Sequence, residues 1–105
     1  MTIARQEIFG PVLLAIPVKT EEGAVQNANS TNFGLATSLH ICNQNTVHQV
    51  AKAARAGTVS VNCHSEGDLA VPFGGYKESG FASKYKSLYA HEQYTGQKAV
   101  WNLLR

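Results

Sequence analysis

Four side chains able to bind a metal or act as nucleophiles lie at the ends of two apolar runs: His40 and Cys42, then Cys63 and His64. If both runs are neighbouring parallel strands, all four reach the same C-terminal sheet edge, where α/β proteins often build sites. A zinc site is one reading. The spacing differs from the usual C-x-x-C knuckle, however, and adjacent Cys63 and His64 would face opposite ways on a continuing strand. A thiol activated by a nearby imidazolium is a second reading, although sequence neighbours rarely reach each other productively. Buried strand cysteines are the third. Just beyond, Glu66 and Asp68 flank Gly67. They read either as a solvated loop or as a negative rim for a cationic or hydrogen-bonding ligand tail. Glu7 and Phe9, in "EIFGPV", pair a carboxylate with a flat ring. The carboxylate can accept both hydrogens of a vicinal diol, and the ring suits either a ligand or the core.

The stretch "PFGGYKESG", residues 72–80, raises the question of phosphate. Gly75 and Gly80 have the spacing that opens a P-loop, but Phe81 and Ala82 stand where Lys and Ser or Thr are required. No G-x-G-x-x-G fingerprint is present either. A tight turn using the conformational freedom of glycine explains the composition better. Lys77 has no assigned partner at this level.

The elements that must position these residues alternate between strand and helix patterns. Residues 11–18 form a continuous apolar run suited to a buried strand. Thr20 can cap a helix whose first turn carries Glu21 and Glu22. Residues 35–42 read as a second strand. Asn43 or Asn45 caps a second helix, with Val47, Val50, Ala51 and Ala54 on one face and Gly57 as its closing residue. Residues 58–62 make a third strand. The expected fold is therefore α/β: a β-α-β-α-β parallel sheet, a long loop to about residue 81, a C-terminal helix using Tyr85, Leu88 and Tyr89, and a last strand over 97–103.

Composition bounds the partners. The chain has 105 residues, 44% hydrophobic and only 15% charged, against roughly 25% charged in a typical soluble domain. A free domain of this size needs much polar surface, so the shortage points to surface covered by more protein. A net charge of +2 without a basic run excludes nucleic acid as the expected partner. No apolar run is long enough for a membrane span, and the first residues lack a signal-peptide core. Two cysteines then read as reduced thiols in a cytoplasmic protein.

Five stretches, taken in order, resemble the C-terminal part of the catalytic domain of NAD(P)-dependent aldehyde dehydrogenases. They are "IARQEIFGPV" (3–12), "ANSTNFGLATSLH" (28–40), "AGTVSVNC" (56–63), "PFGGYKESG" (72–80) and "YTGQKAVW" (94–101). The resemblance covers residues 1–105, and "EGDLAVPFGGYKESG" is most similar to the branch acting on γ-glutamyl-aminobutyraldehyde and related ω-aminoaldehydes. It implies that Glu7 holds the nicotinamide-ribose hydroxyls of NAD or NADP and that Phe9 lies beside the nicotinamide. It implies that Phe73 lines the substrate tunnel, while the 64–71 loop shapes its mouth with Glu66 and Asp68. The last strand, within residues 94–105, would pair across subunits of a homo-oligomer.

In the resembled family a cysteine thiolate attacks the aldehyde to give a thiohemiacetal. An amide and a backbone N–H hold the oxyanion, hydride passes to NAD(P), and a glutamate activates the hydrolytic water. The resemblance places that nucleophile, that glutamate and the dinucleotide fold upstream of "EIFGPV", so Cys42 and Cys63 inherit no catalytic role. Met1 would correspond to an internal methionine of a longer frame. "FASKYKS" (81–87) departs from the family's usual glycine–arginine helix start. The expectation is a truncated dehydrogenase, inactive alone. Two alternatives stand beside it: an interaction module that docks through its last strand onto a full-length dehydrogenase or itself, and a zinc-stabilised domain.

Overall fold

Both expected helices form, and their caps explain where they start. In the computed structural model, which describes residues 1–64, 67–81 and 87–103, helix α1 spans Glu21–Asn29. Thr20 Oγ1 accepts the Gly23 amide at 3.1 Å, satisfying an N–H with no intrahelical partner. Helix α2 spans Gln44–Ala53 and is capped by Asn43, whose Oδ1 accepts from the Asn45 and Thr46 amides at 2.9 and 3.3 Å. Of the two candidate caps it is therefore Asn43 that acts. The helices are tied at both ends. Thr46 Oγ1 donates to Glu21 Oε1 at 3.1 Å. At the far end, Asn29 Nδ2 donates to Ala53 O at 2.9 Å while Asn29 Oδ1 accepts the Arg55 amide at 2.8 Å. Start meets start and end meets end, so α1 and α2 run parallel, as two crossover helices on one sheet face should.

The strands depart from expectation. The predicted strand 35–42 shortens to four residues with one partner, and a separate two-residue strand forms just before it, outside the predicted run. Strand β1, Phe33–Gly34, pairs antiparallel with β4, Tyr76–Lys77. Strand β2, Ala36–Leu39, pairs in parallel with β3, Thr58–Val61, from Ala36 opposite Thr58 to Leu39 opposite Val61. The β2–α2–β3 unit is thus the parallel crossover that was predicted. Residues 11–18 form no ladder among the described residues, and neither do residues 97–103. Both are apolar and open: Leu13 is 93% exposed and Trp101 96%. Apolar, β-branched composition favours strand conformation, but a ladder also needs a neighbour, and none of the described strands pairs with either segment. The expected five-element parallel sheet is therefore present only in its central crossover.

Gly57 also has a different task from the one predicted. Helix α2 ends at Ala53, and its C-cap Ala54 is extended. A Cβ on Gly57 would overlap the carbonyl of Gly74. The Gly57 amide meanwhile donates to Gly34 O at 3.0 Å. Gly57 allows the "PFGG" backbone to lie against the entry to β3. It does not close the helix.

The C-terminal helix is short. α3, Leu88–His91, is capped by Ser87 and followed by a 3-10 turn, Glu92–Tyr94. Tyr85 and most of "FASKYKS" lie outside the described residues.

Burial is sparse. Among the described residues Val47 is the only buried hydrophobic side chain. The accessible surface is 9115 Å², whereas a compact 11.3 kDa monomer exposes about 5,700 Å². The radius of gyration is 18.5 Å, against about 13 Å for a compact chain of this length. The crossover unit is organised, and the segments on either side of it present apolar surface to solvent.

Candidate functional site

The site is built around residues 35–37, where the chain passes from β1 into β2. Residues 35–37 line two clefts at once. The smaller, about 490 Å³, also takes Glu7, Asn29, Thr31, Arg55, Glu78 and Ser79 into its wall. The larger, about 630 Å³, is completed by Ser38, Ser60, His64, Asp68, Pro72 and Phe73. Glu7 thus lies on one side of a common wall, with Phe73 and Asp68 on the other.

Each side chain reaches its place for a local reason. Glu7 follows the 3-10 turn Thr2–Ala4, closed by amide bonds from Ala4 to Met1 and from Arg5 to Thr2 at 3.2 and 2.9 Å. Phe9 belongs to neither cleft. It is 90% exposed and adopts φ 54°, a left-handed conformation that a bulky residue rarely takes. It is not a core residue in this structure. Asp68 folds its own loop: its Oδ1 accepts the Ala70 amide at 2.8 Å, and its carbonyl accepts the Val71 amide at 3.1 Å. This Asx turn holds Val71, Pro72 and Phe73 against the larger cleft. Glu66 lies outside the described residues.

The sheet end carrying His64 is set by Asn62. This residue has φ 55°, and its side-chain amide bonds Ile41 in both directions: Oδ1 accepts the Ile41 amide and Nδ2 donates to the Ile41 carbonyl, each at 3.0 Å. The side chain replaces backbone and extends the β2–β3 ladder by one step. The chain then turns, leaving His64 Nδ1 3.4 Å from Ser38 Oγ. Cys42 is exposed and Cys63 half-buried, both as free thiols. Among the described residues no group of three or more His, Cys, Asp or Glu side chains is gathered to hold a metal ion. The His40, Cys42, Cys63 and His64 set is not such a group.

Sequence reasoning missed Asn29, Arg55 and Asn62, and singled out Lys77 without finding its partners. Asn62 carried a usable signal, since asparagine is among the residues that most readily take left-handed φ at a strand end. Lys77 carried none, because its acceptors, the carbonyls of Asn29 and Thr31, lie 48 and 46 residues away.

The glycine-rich stretch is fastened to this wall by hydrogen bonds to the residues before β2. The Glu78 amide donates to Asn32 O at 3.1 Å, and Ser79 Oγ accepts the Gly34 amide at 3.0 Å. Ser79 closes over Gly75 so tightly that a Cβ there would overlap the Ser79 backbone.

Comparison with known proteins identifies the family. The aldehyde dehydrogenase family profile matches residues 1–100. The chain is 45% identical over 97 residues to aminoacetaldehyde dehydrogenase of Pseudomonas aeruginosa, covering 92% of this chain and 20% of that protein. It is 41% identical over 100 residues to the NADP/NAD-dependent aldehyde dehydrogenase PuuC of Escherichia coli (strain K12), covering 95% of this chain and 20% of that protein. The crystal structure of indole-3-acetaldehyde dehydrogenase complexed with NAD+ superposes with a TM-score of 0.90 at 46% identity. That superposition covers 99% of this chain and 21% of the other. The chain therefore spans about 20% of the length of the curated relatives it matches. With a family match across nearly its whole length and the same fold as a solved member, the chain belongs to the aldehyde dehydrogenase family.

Proposed function

We propose that residues 1–105 form the C-terminal portion of the catalytic domain of an NAD(P)-dependent aldehyde dehydrogenase. The whole enzyme oxidises aldehydes to carboxylic acids, and this portion turns nothing over by itself. The observation that supports the reading is the shared lining: a cleft that includes Glu7 and a cleft that includes Phe73 both run along residues 35–37. An enzyme that passes hydride from an aldehyde to a cofactor must hold the two in direct contact, so clefts that meet at the same three residues suit adjoining cofactor and substrate sites.

The residues of the smaller cleft fit the ribose end of a dinucleotide. Glu7 offers a carboxylate, an acceptor for both hydroxyls of a ribose. Outside the cleft but two residues from Glu7, Phe9, exposed and held at φ 54°, offers an aromatic face. Backbone strain concentrates at ligand clamps, and a bulky residue held in this region is consistent with that use. When bound, NAD(P) supplies the hydride acceptor. In the larger cleft, Phe73 lines the aldehyde's path, and Asp68 makes the mouth acidic. An acidic mouth suits an aldehyde with a cationic tail, and the Pseudomonas relative is named for such a substrate, aminoacetaldehyde.

These roles are tested by joining the 105 residues to the upstream part of the Pseudomonas relative and measuring NADH formation. The unsubstituted protein should turn over. Glu7→Gln should raise the KM for NAD+ about tenfold with little change in aldehyde KM, the loss of one charge-assisted hydrogen bond. An unchanged KM for NAD+ removes Glu7 from the cofactor site.

A second reading is favoured by one observation. Val100, Trp101 and Leu103 are 76%, 96% and 81% exposed on a segment with no ladder partner among the described residues. Such a segment suits an oligomerisation strand that pairs with another copy or with a full-length dehydrogenase. Light scattering after size exclusion should give a species larger than a monomer. A clean, stable monomer that binds no such enzyme counts against pairing.

A further inference from the structure

Lys77 is the most unexpected residue of the "PFGGYKESG" stretch. Its backbone takes φ 54° in a two-residue strand, β4, whose partner β1 is equally short. So short a ladder does not hold a loop in place by itself. The side chain provides the rest. Its half-buried ammonium crosses to the end of α1 and donates to the carbonyls of Asn29 at 3.0 Å and Thr31 at 2.8 Å. Helix α1 has no basic residue in its own last turn. Lys77 thus brings to the negative end of the helix dipole the cation that the helix itself lacks, and it satisfies carbonyls left over at the terminus.

The position of that bond gives it a function. The stretch that Lys77 anchors runs between the two clefts: Pro72 and Phe73 line the larger, Glu78 and Ser79 the smaller. Its anchor, Asn29, is the residue that also clamps the end of α2, through Ala53 O and the Arg55 amide. One ammonium therefore ties the loop carrying both cleft walls to the junction of both helices. We propose that Lys77 is a positioning residue, an ammonium clamp that fixes the spacing between the cofactor-side and substrate-side walls of the site. The inference rests on the reading of the two clefts given above.

Two measurements separate the clamp from that reading. In the 105-residue chain, Lys77→Met keeps the length of the side chain and removes the donor. Amide hydrogen exchange at Gly34 and Glu78, measured relative to α2, should quicken at least tenfold, and Lys77→Arg should restore most of the protection. Unchanged exchange overturns the clamp whatever the activity shows. In the joined enzyme described above, Lys77→Met should lower kcat per active site by about ten- to a hundredfold, the scale set by misplacement of about 1 Å. Sites are counted by burst titration, both KM values should move less than about threefold, and Lys77→Arg should recover activity. A role in folding alone would leave kcat per titrated site unchanged, and that result also overturns the proposal. An unsubstituted joined enzyme that fails to form NADH contradicts the reading of the clefts, while the exchange experiment still judges the clamp.

Discussion

Asn62 shows how a single side chain can finish a sheet. The backbone turns away from the ladder at φ 55°, and the side-chain amide makes the two bonds to Ile41 that a further strand residue would have made. Asn62→Ala loses both bonds and leaves a Cβ in a left-handed conformation. It should cost about 2 kcal/mol, from about 1 kcal/mol per hydrogen bond, read as a shift in the urea unfolding midpoint. Asn62→Gly should be less damaging than Asn62→Ala, because glycine takes positive φ without strain. Equal losses would mean that the backbone conformation contributes little. Asp68 divides its work between turn and charge. Asp68→Asn retains an oxygen for the Ala70 amide, so the loop should persist while the charge goes. In the joined enzyme the KM for a cationic aminoaldehyde should rise about threefold and that for an uncharged aldehyde should hold, with the difference shrinking at high salt. Equal changes for both substrates remove the electrostatic role.

At the scale of elements, what the sequence disclosed depended on the reach of each interaction. Thr20 and Asn43 could be identified as caps because their partners are two or three residues away. The β2–α2–β3 crossover was legible because strand and helix periods succeed one another without interruption. Ladder partners were not, since alternation and β-branching say that a strand is favoured and nothing about which neighbour it takes. So the pairing of Phe33–Gly34 with Tyr76–Lys77, just ahead of the expected strand, went unforeseen, and residues 11–18 looked like a core strand although no described strand pairs with them. Gly57 is the clearest case of a correct residue with the wrong reason. Its position after a helix implied a C-terminal cap, while its use is the close approach of the Gly74 carbonyl. Gly57→Ala should accordingly separate the "PFGG" segment from β3, destabilising the unit by about 1–3 kcal/mol as an overpacked contact does. Thermal unfolding checks it, and a change below about 0.5 kcal/mol would contradict the contact.

On the scale of the whole molecule, the organised centre and its exposed flanks have one explanation. The chain exposes about 3,400 Å² more than a compact monomer of its mass would, 9115 Å² in all. That excess, counted on one side only, is several times the roughly 800 Å² that each partner gives to a standard protein–protein interface. The scarcity of charge noted in the sequence is the compositional counterpart of this surface. Glu7, Phe73 and Asp68 could be named from motif resemblance, but their distribution over two clefts with a common wall became visible only in three dimensions. Whether the rest of a catalytic domain covers the flanks is decided most directly by activity. NADH formation from an ω-aminoaldehyde should be measured with the purified 105-residue chain and with the same residues joined to the upstream part of the Pseudomonas relative. The account predicts no turnover for the chain alone and turnover for the joined protein. Turnover by the chain alone that survives Cys42→Ala and Cys63→Ala, with contaminating enzyme excluded, would contradict it.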